Sequence, residues 1–256
     1  MTNYFLLLAF TLFIYMNAWF LLSLIRKRND LADIAWGLGF VLLAWTSIFL
    51  SQDFEIRSLI VNLLVTIWGL RLAWHIYKRN KGKPEDYRYL AWRQQWGKWF
   101  YLRSYLQVYL LQGLFLFIIS LPILAINIQG SSEIGLLDLI GITVWLIGFF
   151  FEVVGDWQLK QFIKEPTNKG KLITTGLWQY SRHPNYFGEV TQWWGIWLIA
   201  LVTPLGWISI LGPLTISFLI LKVSGIPMLE KKMSQNPAFA EYEKRVSKFF
   251  PLPPKK

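Results

Sequence analysis

The sequence predicts an all-α, polytopic membrane protein of seven transmembrane helices, with the amino terminus outside and the carboxyl terminus in the cytoplasm. Three observations predict it. Hydrophobic residues occupy 54% of 256 positions and charged residues only 16%, well under the roughly 25% of soluble domains. Apolar runs long enough to cross a hydrocarbon core of roughly 30 Å recur along the whole chain. Lysine and arginine gather in every second connection between those runs, as the positive-inside rule requires.

In order, the spans are expected at 4–25, 32–50, 57–77, 104–128, 135–155, 186–203 and 206–223. The first is too long for a signal-peptide core and has no basic leader, so it is expected to be retained. Arg26, Lys27 and Arg28 follow it. The second opens on "DLADIAWGLGF", with Asp33 at its start. The third leads into the long basic segment "KRNKGKPEDYRYLAWRQQWGKWFYLRS". There Trp92, Trp96 and Trp99 recur at i, i+4 and i+7, the pattern of an amphipathic helix lying at the interface. Tyr105, Tyr109 and Gln112 form a polar stripe on the fourth span, suited to lining a pocket or, more commonly, to bridging helices. The fifth closes with Glu152, Asp156 and Lys160, four apart. The basic connection after it holds Lys164, Lys169, Lys171 and Arg182. The intervening connections, 51–56, 129–134 and 204–205, carry no lysine or arginine. With no room for a second domain beside the spans, residues 1–256 are expected to be one membrane domain.

Composition also excludes. The net charge of +11 is confined to the connections on one side, so topology and anionic lipid account for it and nucleic acid is not an expected partner. The absence of cysteine removes disulfides, thiolate metal sites and a cysteine nucleophile. The two histidines, His75 and His183, have no ligand spacing, so no metal is expected. No Gly-x-Gly-x-x-Gly follows a strand, and no serine sits in a nucleophile elbow.

The richest stretch is "YSRHPNYFGEVTQWWG", residues 180–195. Pro184 suits the first turn of a helix. Asn185, Glu189 and Gln192 then share one helical face. The free N–H groups of a helix start favour an anion, and Arg182 and His183 stand just before it as further donors. A carboxylate as deep as Glu189 is costly in a bilayer unless it is paired or faces a wet cavity. Asp156 either pairs with Lys160 at the surface or accepts hydrogen bonds from a ligand whose phosphates meet Lys160, Lys164 and Lys171.

"GLWQYSRHPNYFGEVTQWWG", "SGIPMLEKKM" and "YEKRVSKFFP" resemble the carboxyl-terminal region of the steroid 5-alpha-reductase family. With "ADIAWGLGF" and "GKPEDYRY", the whole chain resembles its bacterial branch, DUF1295. That resemblance implies a seven-helix reductase holding NADPH in a cytoplasm-facing cavity and reducing a carbon–carbon double bond conjugated to a ketone. It implies a cofactor site of Asp156, Lys160, Lys171, Arg182, His183, Asn185, Tyr186 and Glu189. Asn185 and Glu189 match an asparagine and a glutamate four apart in the family. Glu152 stands where the family has a further asparagine. Asp33 stands, one carbon shorter, for a substrate-holding glutamate and is the expected catalytic residue; no tyrosine of the third span matches that glutamate's partner. The expected partners are a lipophilic steroid- or isoprenoid-like enone and the bilayer of a bacterial inner membrane, and the expected state is a monomer. Two alternatives stay open. One is an S-adenosylmethionine-dependent methyltransferase similar to the isoprenylcysteine carboxyl methyltransferases, which share the Arg-His-Pro-x-Tyr-x-Gly stretch. The other is a non-catalytic lipid-binding protein.

Overall fold

The computed structural model describes residues 2–129 and 133–255; half of the expected 129–134 connection, at 130–132, lies outside the described residues. Those residues form helices with no strand among them. Six helices are long and apolar enough to cross a membrane: Asn3–Arg26, Leu31–Ser51, Ile56–Asn80, Tyr87–Ile119, Leu136–Lys164 and Ile208–Met233. The span expected at 186–203 is a helix of 17 residues, Pro184–Ala200, shorter than these six and polar in its first half.

The chain divides into two compact units. Unit 1 comprises Met1–Ile134 and Thr203–Leu211. Its helices α1 (Thr2–Arg26), α2 (Leu31–Ser51) and α3 (Ile56–Asn80) pack side by side. On α2 and α3, Gly37 and Gly69 let the backbones touch: a Cβ on Gly37 would lie 2.7 Å from the Gly69 carbonyl oxygen. Phe40 packs edge-on against Trp68 at 5.4 Å, and both are buried. A polar knot lies beside them: Asn127 Nδ2 donates to Ala44 O at 3.1 Å and Asn62 Oδ1 at 3.0 Å. Such bonds hold helices together where lipid offers no hydrophobic drive.

The basic segment after α3 becomes α4 (Tyr87–Trp96), started by Asp86, whose Oδ1 accepts from Arg88 N at 3.0 Å. The expected Trp92–Trp96–Trp99 stripe is interrupted. Trp92 and Trp96 stack at 5.3 Å, but Gly97 takes φ 49° and the next turn tightens to a 3-10 helix. Phe100, not Trp99, continues the row at 6.1 Å from Trp96. The chain runs on as α5 (Phe100–Arg103), a π-helical stretch Ser104–Leu110, α6 (Leu111–Ile119) and α7 (Leu121–Ile128). Tyr105 and Tyr109 of the expected stripe both pack on Phe20 of α1, at 4.9 and 5.3 Å. Tyr105 Oη donates to Asn17 Oδ1 at 3.1 Å, and Tyr109 Oη to Asn29 O at 3.4 Å. Tyr105 thus bonds to α1 and Tyr109 to the turn between α1 and α2.

Unit 2 comprises Gly135–Val202 and Gly212–Lys256. Its frame is α8 (Leu136–Lys164) packed along α9 (Pro184–Ala200). Asp138 secures the start of α8 by accepting from Gly135 N at 2.8 Å, and Pro184 occupies the first turn of α9, where its missing N–H costs nothing. The helices α10 (Leu211–Phe218), α11 (Ile226–Met233) and α12 (Phe239–Arg245) follow. Phe239, Tyr242 and Val246 form a small core with Leu172 and Met233.

Candidate functional site

Glycines set the geometry of the α8–α9 seam. Gly141, Gly148 and Gly155 recur every seven residues on α8, as do Gly188 and Gly195 on α9. A Cβ on Gly148 would meet the Gly188 carbonyl oxygen at 2.6 Å, and one on Gly195 the Gly141 oxygen at 2.7 Å. Backbones this close bring the polar residues of both helices into direct contact. Gln192 Nε2 donates to Glu152 Oε2 at 2.6 Å and to Gly188 O at 3.3 Å; Gln192 and Glu152 are 1% and 3% exposed. Towards the start of α9, Asn185 Nδ2 donates to Asp156 Oδ1 at 3.0 Å. Each amide thus spends its nitrogen on a carboxylate across the seam. Asn185 Oδ1 and Gln192 Oε1 are left buried with no hydrogen-bond partner. An unpartnered buried acceptor costs about 1–3 kcal/mol, so two of them mark a place that can take donors from a ligand.

Of the residues expected to hold a cofactor, Asn185 and Asp156 meet directly. Glu189 is half-buried one turn further along α9 and is engaged within the protein. Tyr186 is half-buried and stacks on the His183 ring at 5.9 Å. Lys160 and Lys171 are exposed, at the end of α8 and in the following loop.

Arg182 and His183 do something other than expected. The Arg182 guanidinium grips the carboxyl-terminal segment: Nε and Nη2 reach Glu230 Oε1 at 2.8 and 2.6 Å, and Nη1 reaches the carbonyls of Glu243 and Val246 at 3.1 and 2.9 Å. His183 Nε2 lies 3.4 Å from the same Glu230 oxygen, and Lys248 Nζ is 3.1 Å from Oε2. Burial lowers the His183 pKa from 6.5, with Glu230 opposing that shift. Backbone and hydroxyl bonds extend the attachment, Ser181 Oγ to Phe249 O at 2.8 Å and Leu252 N to Tyr180 O at 3.0 Å. These two side chains thus fasten the tail to the start of α9. With most of the guanidinium N–H groups bound to protein oxygens, little is left for a phosphate.

In unit 1, Asp33 accepts at both oxygens: from Arg88 Nη2 at 2.6 Å and from Tyr89 Oη at 2.7 Å, with Arg79 at 3.9 Å. Both oxygens of Asp33 are thus taken up by donors from α4. Beside it Asp30 accepts from Arg28 at 2.7 Å, and Glu85 from Asn29 N at 2.5 Å and Arg93 at 3.1 Å. Burial alone would raise the Asp86 pKa, but hydrogen bonds and charge from Arg88 outweigh it and lower the value. Tyr89, only 2% exposed, was missed because it sits in a segment whose other aromatics read as interfacial. The signal available was the co-occurrence of "ADIAWG" and "PEDYRY", each carrying carboxylates with no obvious solvent role. Among the described residues no three His, Asp or Glu side chains are grouped so as to hold a metal ion.

A family model described as a protein of unknown function, DUF1295, matches residues 19–246. An uncharacterized protein of Schizosaccharomyces pombe is 26% identical over 286 aligned positions, spanning 98% of this chain and 80% of the relative. No solved structure matches the chain significantly.

Proposed function

From the membership of this chain in the DUF1295 family, and from its α8–α9 seam, we propose that it is a membrane-embedded reductase that uses NADPH to reduce a conjugated carbon–carbon double bond in a lipophilic enone. The observation that carries this is the pair of buried, unpartnered amide oxygens of Asn185 and Gln192. Each is held in place through its own nitrogen by a carboxylate, Asp156 or Glu152. A rigid acceptor suits a primary amide donor such as the carboxamide of a nicotinamide. When bound, the cofactor supplies the hydride. Asp156 and Glu152 orient the acceptors, Glu189 adds a carboxylate beside Asn185, and the close packing of α8 on α9 limits access of water. Lys160 and Lys171, exposed and mobile on long stems, are suited to the phosphates. Arg182 and His183 support the site from the tail side and are not part of the ligand set. In unit 1, Asp33 with Tyr89 forms a phenol–carboxylate pair that can hold a proton at the Tyr89 hydroxyl.

The proposed topology has seven crossings, with α9 as a short one, the amino terminus outside and the basic connections in the cytoplasm. Reporters fused after residues 90 and 170 should both read cytoplasmic; opposite readings would reverse or break it.

The decisive experiment is ligand titration of the detergent-purified chain with NADPH, NADH and S-adenosylmethionine. Saturable NADPH binding, weakened about tenfold in Asn185→Ala through loss of one hydrogen bond, is the expected result. Binding of S-adenosylmethionine without NADPH would identify a methyltransferase. Binding of neither would leave a non-catalytic lipid-binding protein.

A further inference from the structure

Residues 247–255 of unit 2, "SKFFPLPPK", follow α12 as a non-helical segment that the seam does not use. The segment is pinned beside the start of α9. Arg182 N donates to Ser247 O at 2.9 Å, Ser181 Oγ to Phe249 O at 2.8 Å, and Leu252 N to Tyr180 O at 3.0 Å. Phe249 is buried, whereas Phe250 and Leu252 are 63% and 55% exposed. Two large apolar side chains thus face outward from a fixed backbone.

Ring contacts set the level of Phe250 along α8. Phe151 meets Phe187 at 5.1 Å and Phe187 meets Phe250 at 6.1 Å, which keeps Phe250 within about 11 Å of Phe151. Phe151 stands roughly 23 Å along the helix axis from Leu136, at 1.5 Å per residue. A hydrocarbon core of roughly 30 Å that begins at Leu136 ends just beyond Phe151, and the headgroup layer adds roughly 5–7 Å. Even at its farthest, Phe250 stays inside that layer. Trp157, exposed on α8 near the same boundary, is the residue type that interfaces favour.

Backbone chemistry gives an independent argument. Irregular chain next to lipid must leave few N–H groups without partners. Pro251, Pro253 and Pro254 have no N–H to leave. The two others between Pro251 and Lys255 are both bonded, Leu252 N to Tyr180 O and Lys255 N to Arg245 O at 2.8 Å. Water would satisfy such groups unaided, so a fully solvated segment gains nothing from this arrangement.

We infer that residues 249–255 form an interfacial anchor: Phe250 and Leu252 lie in the headgroup–acyl boundary at the Lys164 end of α8, and the bilayer covers them. The same segment receives Arg182 N and Ser181 Oγ, so lipid contact supports the fastening of the start of α9. The anchor requires α8 to cross the bilayer and is independent of any reductase activity.

The chain has no cysteine, so single cysteines can be introduced and nitroxide-labelled without background. Phe250→Cys and Leu252→Cys are made in the full chain, reconstituted into phosphatidylcholine vesicles and read by electron paramagnetic resonance. The readout is collision with oxygen, which concentrates in lipid, against collision with a water-soluble nickel chelate. Both replaced side chains are exposed, so the variants keep the fold. Phe150→Cys, on an exposed position of α8, gives the lipid reference, and Lys169→Cys, exposed in the following loop, the water reference. At both test positions the oxygen-to-nickel ratio should shift from the Lys169 value towards the Phe150 value. Nickel collision at either position equal to that at Lys169 overturns the inference, because the side chain is then in water. Low collision with both reagents also overturns it, because protein from a second copy then covers the segment.

Discussion

Gly148→Ala is the sharpest probe of the α8–α9 seam. The added Cβ would lie 2.6 Å from the Gly188 oxygen and 2.7 Å from the Gln192 nitrogen. Both are backbone atoms, so no side chain can rotate away. Ordinary contact begins at 3.4 Å, so the helices must part locally by about 0.8 Å, the difference between 3.4 and 2.6 Å. Overpacking of this kind costs about 1–3 kcal/mol. The same separation would stretch the 2.6 Å Gln192–Glu152 bond beyond the roughly 3.2 Å limit of a good N–H···O bond, adding about 1–3 kcal/mol for a buried group left unsatisfied. Thermal unfolding in detergent, followed by tryptophan fluorescence, should show a fall on the order of 10 °C. Gly135→Ala is the matched control, because its Cβ would meet only Asp138 at 3.9 Å and should change little. Equal melting temperatures for Gly148→Ala and wild type would mean that the seam yields freely and that glycine there does not set the distance between Gln192 and Glu152.

Three further outcomes are expected. Arg182→Lys should behave nearly as badly as Arg182→Gln, losing about 3 kcal/mol, because an ammonium cannot reach Glu230 and two carbonyls together; limited proteolysis should then release the segment beyond Val246. His183 resists protonation when folded, so the unfolded chain binds the extra proton as pH falls through 6.5; stability should be full above that value and decline below it, with His183→Gln flattening the decline between pH 7.5 and 5.5. Lys171→Ala should weaken NADPH more than NADH if its ammonium meets the extra phosphate, and equal losses would remove it from that position.

Helix positions were legible because long apolar runs and the placement of lysine leave little choice in a bilayer, and Pro184 announced the start of α9 in its own chemistry. The Asn185–Asp156 contact was half legible: spacing put each on the right face of its helix, but not that the faces meet. That depends on glycines spaced seven apart, which read as ordinary until two backbones are seen to touch. The contacts of Arg182 and His183 with the tail were not legible for a different reason. A cation at a helix start looks the same whether its anion is a ligand or a glutamate 48 residues later. Asp33 was legible as a carboxylate at a helix start, while its partners Arg88 and Tyr89 lie 55 and 56 residues on, beyond any local pattern.

The π-helical stretch at Ser104–Leu110 has a consequence for how such chains can change length. A π turn holds one residue more than an α turn, and the bonds within it re-form readily in the tighter pattern. Deleting one residue there would convert the stretch to α-helix without breaking the rod. Every residue on one side would then swing by about 100° relative to the other, the angle between neighbours in an α-helix. Trp96 and Phe100 before it and the buried Leu116 and Ile119 after it would be turned against each other by that change. The stretch acts as a vernier, a place where a single-residue gain or loss rotates one face against another while both helices stay intact.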